Sequence, residues 1–192
     1  RINLFIEKPL GMSCSGWNLI YERCKKFKIV NYVAYCHRHI NYTKKLKYIL
    51  KNKKIGSVLS ANMRWGSYLP DWHPWEDYKN SYASNKDLGG GSLLTMCHPL
   101  DYLIHIIGDV NFKLKSKYSG RLNINVDQAS LISCESDLTV NPIEIYIDFD
   151  SKINRHEIYL DGKDWSISAD LLDNTLQSKI ANNEKFSFNY GD

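Results

Sequence analysis

Two periods run through the hydrophobic positions, a helical one and an alternating one. Residues 2–6 (Ile-Asn-Leu-Phe-Ile) predict a short buried strand, which ends at Glu7-Lys8-Pro9 because Pro9 cannot donate to a strand ladder. Trp17, Ile20, Tyr21, Cys24 and Phe27 recur at helical spacing and predict a helix over about 16–28, with Ser13 or Ser15 as its cap. Residues 29–36 read as a strand, so the N-terminal third holds one strand–helix–strand unit of the kind found in parallel sheets. A second helix is predicted over about 42–53, with Tyr42, Leu46, Ile49 and Leu50 on one face, lysines on the other and Gly56 as the stop. A strand over 57–66 leads into a long aromatic and charged loop, 67–88. Gly89-Gly90-Gly91 opens a helix over about 92–107 that is apolar on all sides, hence buried, and that Gly108 ends. Segments near 110–118, 126–135, 142–149, 155–160 and 164–168 alternate, or carry β-branched residues, between turn signals and read as a mostly antiparallel sheet. A last helix is predicted over 170–181. The pattern predicts an α+β fold with a large, mostly antiparallel sheet and helices on one face.

Composition adds bounds. The chain has 192 residues, 43% hydrophobic and 24% charged, an ordinary globular balance for one domain. No apolar run approaches the roughly 20 residues of a membrane helix, so no membrane partner is expected. The N-terminus shows no apolar leader, and five scattered cysteines without a Cys-x-x-Cys pair point to free thiols in a reducing cytoplasm. The net charge of +4 hides a split of +12 over residues 1–64 and −8 over the rest. The basic third reads either as solvated helix faces, which its helical spacings favour, or as a surface for nucleic acid or phosphate-bearing ligands. No nucleic-acid motif accompanies it, so no nucleic-acid partner is expected.

Four constellations can carry chemistry. Glu7-Lys8-Pro9 lies at the carboxyl end of a strand, where open α/β sheets bind ligands and where a lysine can polarise a reacting oxygen. On the buried helix His98, Asp101, Tyr102 and His105 share one face, with Thr95 one turn before. These polar groups must find either internal partners or a ligand. The glycine triplet beside them allows close backbone approach but lacks the spacing of a dinucleotide fingerprint. The loop residues Tyr68, Trp72, His73, Trp75, Asp77 and Tyr78 combine aromatic faces with polar groups, which suits either a sugar or packing on the domain. His37 and His39, placed at a strand end, would share a face. No spacing of a known metal type accompanies them, so no metal is expected.

In this order the motifs resemble the glucose-fructose oxidoreductase / inositol dehydrogenase (Gfo/Idh/MocA) family. The matches are Glu7-Lys8-Pro9, Tyr35-Cys36-His37-Arg38, Ile55-Gly56-Ser57-Val58 and the run from Gly89 through His98 to Asp101. The Leu69–Tyr78 run is similar to a subgroup associated with bacterial surface-sugar biosynthesis, including sialic-acid-like sugars. Many relatives carry an aspartate where this chain has Thr95. The resemblance implies an oxidoreductase acting on a sugar or sugar derivative with NAD or NADP as cofactor. Lys8 and His98 would be its catalytic residues. Glu7, Lys8, Pro9 and Arg38 would bind cofactor. Tyr68, Trp72, His73, Trp75, Asp77, Tyr78, Thr95 and Asp101 would bind substrate.

The resemblance also divides the chain into a remnant of a dinucleotide-binding (Rossmann) domain, residues 1–36, and a substrate-binding and catalytic domain, residues 37–192. Family members form oligomers through the C-terminal sheet, which implies a homo-oligomer. The Gly-x-Gly-x-x-Gly turn is absent from the 192 residues, so this chain alone is expected to bind a dinucleotide poorly or not at all. Two other readings stay open: a non-catalytic sugar-binding or dimerisation module, and a metal-dependent hydrolase built on His37, His39, His73 and His98.

Overall fold

Two three-residue strands, Leu4–Ile6 (β1) and Asn31–Val33 (β2), pair in parallel across the helix Trp17–Phe27 (α1). In the computed structural model, which describes residues 2–51, 56–117, 120–180 and 185–188, this pair is a sheet of its own. Helix α1 starts at Gly16, whose φ of 80° turns the chain into the helix without a side-chain cap, so neither Ser13 nor Ser15 caps it. The strand predicted over 29–36 is shorter. The chain turns into a 3-10 segment, Cys36–Arg38, and then into helix Asn41–Lys51 (α2).

The second sheet has eight strands. They are Val58–Gly66 (β3), Asn111–Lys117 (β4), Ala129–Glu135 (β5), Ile143–Asp148 (β6), Arg155–Gly162 (β7), Trp165–Asp170 (β8), Thr175–Ile180 (β9) and Lys185–Phe188 (β10). Their order is β10-β9-β8-β7-β3-β6-β5-β4, and every neighbouring pair is antiparallel except β3–β6. One cross-strand row runs Ile132, Ile145, Met63, Ile158, Ala169, Leu176, and every member is buried. Helices α2 and His98–Ile107 (α4) cover this face with Leu46, Tyr102, Leu103, Ile106 and Ile107. The other face exposes Leu131, Tyr146 and Tyr159. The α+β expectation therefore holds, with the helices on one face.

Two predicted helices change. Residues 175–180, expected inside a helix over 170–181, form β9 instead. Asp170 Oδ1 accepts the backbone N–H groups of Leu172 and Asp173 at 2.9 and 3.2 Å, Asn174 adopts φ 53°, and the closed turn returns the chain antiparallel to β8. The helix predicted over 92–107 is two helices, Ser92–Thr95 (α3) and α4. Pro99 lies in the first turn of α4, where it has no N–H for the Thr95 carbonyl four residues back. Residues 52–53, Ile55, 118 and 181, included in the predicted motifs and elements, lie outside the described residues.

The sheet interior makes a direct prediction. Ile145 is fully buried between β3 and β5, whereas Leu131 faces outward. Ile145→Ala should cost about 2–5 kcal/mol by denaturant unfolding and Leu131→Ala less than about 1 kcal/mol.

Candidate active site

Chain ends of different elements converge beside α4. Lys8, two residues past β1, donates from Nζ to the Thr95 carbonyl at 2.7 Å. That carbonyl is free because the helix breaks before Pro99. A backbone acceptor released by a proline thus holds a lysine from 87 residues away.

His98 opens α4 and is 5% exposed. Its Nδ1 is buried without a hydrogen-bond partner among the described residues, as is Thr95 Oγ1. The His37 ring stacks on the His98 ring at 4.2 Å, and Tyr35 meets it edge-on at 6.1 Å. His156 lies behind, 5.2 Å from His37 and stacked on Trp65 at 4.4 Å, its cross-strand partner on β3. Burial pushes both His98 and His156 down to about 3, helped by His37 beside each of them. His37 is lowered by burial and by the Lys8 ammonium. The two buried rings are therefore neutral at pH 7. Tyr35 is pushed up to about 12, mainly by burial.

Asp101, also on α4 and buried, is held by Arg38. Arg38 Nε donates to both carboxylate oxygens at 3.0 and 2.9 Å, and Nη2 donates to Oδ1. The predicted cofactor residue Arg38 and the predicted substrate residue Asp101 are thus partners of each other, and Asp101 does not pair with His98. Glu7 is exposed, its carboxylate accepting the Lys8 N–H at 3.2 Å, and the Lys8–Pro9 peptide is cis.

The glycine triplet works by packing. A Cβ on Gly90 would meet the carbonyls of Tyr82 and Ala83 at 2.5 Å. On Gly91, which has φ 107°, it would meet Asp127 Oδ1 at 2.2 Å. Asp127 Oδ2 accepts from the Ser92 hydroxyl and the Leu93 N–H at 2.7 and 2.9 Å, which ties down the start of α3.

The aromatic loop is anchored by its own contacts. Trp72 packs edge-on against Phe149 and donates to Ser67 Oγ at 2.8 Å. Tyr78 donates to the Leu122 carbonyl, and Asp77 caps a 3-10 turn by accepting the Lys79 N–H. Tyr68 lies under Lys152. His73 pairs with Glu76 and stacks on Trp75, which is 79% exposed. Among the described residues, no hydrogen bond or ring contact joins these side chains to Lys8 or His98.

Of the four histidines of the hydrolase reading, only His37 and His98 come together. His37 lies in the 3-10 turn and His39 caps its end, so the two are not on a strand, and His39 bonds the Tyr32 hydroxyl. Trp65 and His156 are site neighbours that periodicity missed. The available signal was a histidine at an inward position of the alternating His156, Ile158, Leu160 run.

Solved structures share this arrangement of elements. An inositol dehydrogenase homologue from Azotobacter vinelandii, complexed with NAD+, superposes with a TM-score of 0.81 at 12% identity over 97% of this chain and 50% of its own. The fold is the α+β fold of the C-terminal domain of Gfo/Idh/MocA dehydrogenases. Levoglucosan dehydrogenase, complexed with NADH and L-sorbose, also gives a TM-score of 0.81, at 18% identity over 98% of this chain and 54% of its own. In sequence, a trans-1,2-dihydrobenzene-1,2-diol dehydrogenase from Xenopus tropicalis is 28% identical over 102 residues, 53% of this chain and 28% of that protein. No protein-family model matches the chain. The chain spans about half the length of these solved structures. No helix among the described residues is long and apolar enough to cross a membrane. All five cysteines are free thiols.

The buried neutral rings set a pH dependence. Folding depresses the His98 and His156 values, so the unfolded chain binds more protons below about pH 6.5. This stability is present above the unfolded value and is lost as pH falls toward the folded one. Denaturant midpoints should decline from pH 7 to pH 4, and His156→Gln should flatten the decline. A decline as steep in that variant would contradict the assignment.

Proposed function

We propose that this chain is the substrate-binding and catalytic part of an NAD(P)-dependent oxidoreductase acting on a sugar or sugar derivative by hydride transfer. The observation that carries the reading is the meeting of Lys8 with the Thr95 carbonyl beside the buried, half-unpartnered ring of His98. The fold likeness and the dehydrogenase relative support it. Residues 1–36 are the end of a dinucleotide-binding domain, and residues 37–192 are the catalytic domain.

The residues present fit the nicotinamide end of the cofactor. Thr95 Oγ1 and His98 Nδ1 are buried without a hydrogen-bond partner among the described residues, and polar groups of a ligand would satisfy them. Glu7, Lys8 and Pro9 would line that end, with Arg38 nearby, and Lys8 would hold a ribose or substrate oxygen. The pyrophosphate-cradling turn is absent from the 192 residues. When bound, the nicotinamide supplies the acceptor or donor of a hydride. His98 would be the acid/base group for the hydroxyl being oxidised or the carbonyl being reduced, and its ring, neutral at pH 7, can accept a hydrogen bond from a substrate hydroxyl. The Lys8 ammonium stabilises negative charge growing on the same oxygen. His73 and the exposed Trp75 offer a stacking platform for a sugar ring, joined by Tyr68, Trp72, Asp77 and Tyr78. The Leu69–Tyr78 run favours a surface-sugar precursor of the sialic-acid-like kind. The outward sheet face, with Leu131, Tyr146 and Tyr159, serves homo-oligomerisation. That same face favours a second reading, a dimerisation module without catalysis.

In the full-length gene product, Lys8→Ala and His98→Ala should each lower kcat at least about 100-fold with near-UV circular dichroism unchanged. Near-normal turnover in both would refute the reading, as would sugar binding without any redox activity. Trp75→Ala should raise KM with little change in kcat or stability. Trp72→Ala should in addition cost about 1–3 kcal/mol of stability, because its half-buried ring packs against Phe149.

A further inference from the structure

We propose that Cys36, His37 and His98 form a binding site for a thiophilic divalent cation of the zinc class. Each offers one ligand atom, and all three atoms lie within 4.8 Å of one another. A thiolate and two imidazoles are a zinc-type donor set, at about 2.3 Å for sulfur and about 2.0–2.1 Å for nitrogen. Closing the cluster onto one ion asks for shifts on the order of 1 Å. Three protein ligands leave the fourth tetrahedral position to water or a substrate oxygen.

The surroundings favour the site in several ways. Cys36 and His37 are neighbours on the 3-10 turn, and His98 begins α4. The next residue of that turn, Arg38, grips Asp101 on the same helix, so the ion pair pins the two ligand-bearing elements together. The buried Nδ1 of His98 has no other partner among the described residues, and a cation would satisfy it. The Tyr42 hydroxyl lies 3.4 Å from His37 Nδ1, a second contact that orients this ring and leaves Nε2 for a metal. Cys36 is exposed, which gives the ion a way in. The Lys8 ammonium opposes a cation here, and the thiolate charge offsets it. Such an ion is exchangeable rather than structural, and while bound it competes with protons and substrate for the His98 ring.

The proposal rests on the placement of these side chains and not on the hydride-transfer reading, with which it shares His98. Cobalt(II) tests it on the 192-residue chain, kept reduced with a non-thiol reductant. One equivalent should produce a thiolate-to-cobalt charge-transfer band and the visible bands of four-coordinate cobalt, and zinc should abolish both. Cys36→Ser should remove the charge-transfer band, and His98→Gln should weaken binding by about tenfold or more. Cys97→Ser should leave the spectrum unchanged. Absence of the band in the unaltered chain would overturn the site, as would its survival in Cys36→Ser. Because absorbance needs no turnover, failure of this site and failure of the oxidoreductase reading give separate results.

Discussion

Covering one apolar face of the eight-stranded sheet with α4 is the constraint that places the other features of the candidate site. Ile132, Ile145, Met63 and Ile158 form a continuous inward row, and leaving it in water would forgo the main driving force for folding. Tyr102, Leu103, Ile106 and Ile107 supply the cover. A helix laid down this way carries its polar residues inward as well. Asp101 is buried and balanced by Arg38, while His98 is buried and stays neutral, as does His156 on β7 beneath it. The chemistry of the site follows from what it takes to put these groups under a sheet-covering helix.

The second consequence comes from one missing N–H. Pro99 prevents a continuous helix from Ser92 to Ile107 and frees the Thr95 carbonyl, which a buried segment must satisfy from elsewhere. Lys8 satisfies it, and in doing so ties the two-stranded parallel unit to the helix of the larger sheet. The tie sets a cation beside neutral imidazoles, and that juxtaposition suits proton transfer at a polarised oxygen.

The site is polarised in composition as well as geometry. One flank holds the Lys8 and Arg38 cations, and the other is a column of rings, Trp65, His156, His37 and His98. The column is assembled from β3, β7, the 3-10 turn and α4, four elements distant in the chain. The sheet register pairs two of these rings, Trp65 and His156.

Features that depend on near neighbours along the chain were legible in the order of residues. These include α1 and α2 from helical spacing, the end of β1 at Glu7-Lys8-Pro9 and the alternating strands after Gly108. The α+β class and the likeness to dehydrogenases were legible at that level too. Local signals were present but outweighed in two places: Pro99 splits the predicted helix, and the turn at Asp170–Asn174 makes 175–180 a strand. Tertiary structure alone decided the rest. It paired Arg38 with Asp101, spent Gly90 and Gly91 on packing, set Trp72 against the core and brought Cys36, His37 and His98 together. The physical reason is that periodicity records which face of an element is buried, whereas a partner depends on strand register and helix placement, to which the whole chain contributes.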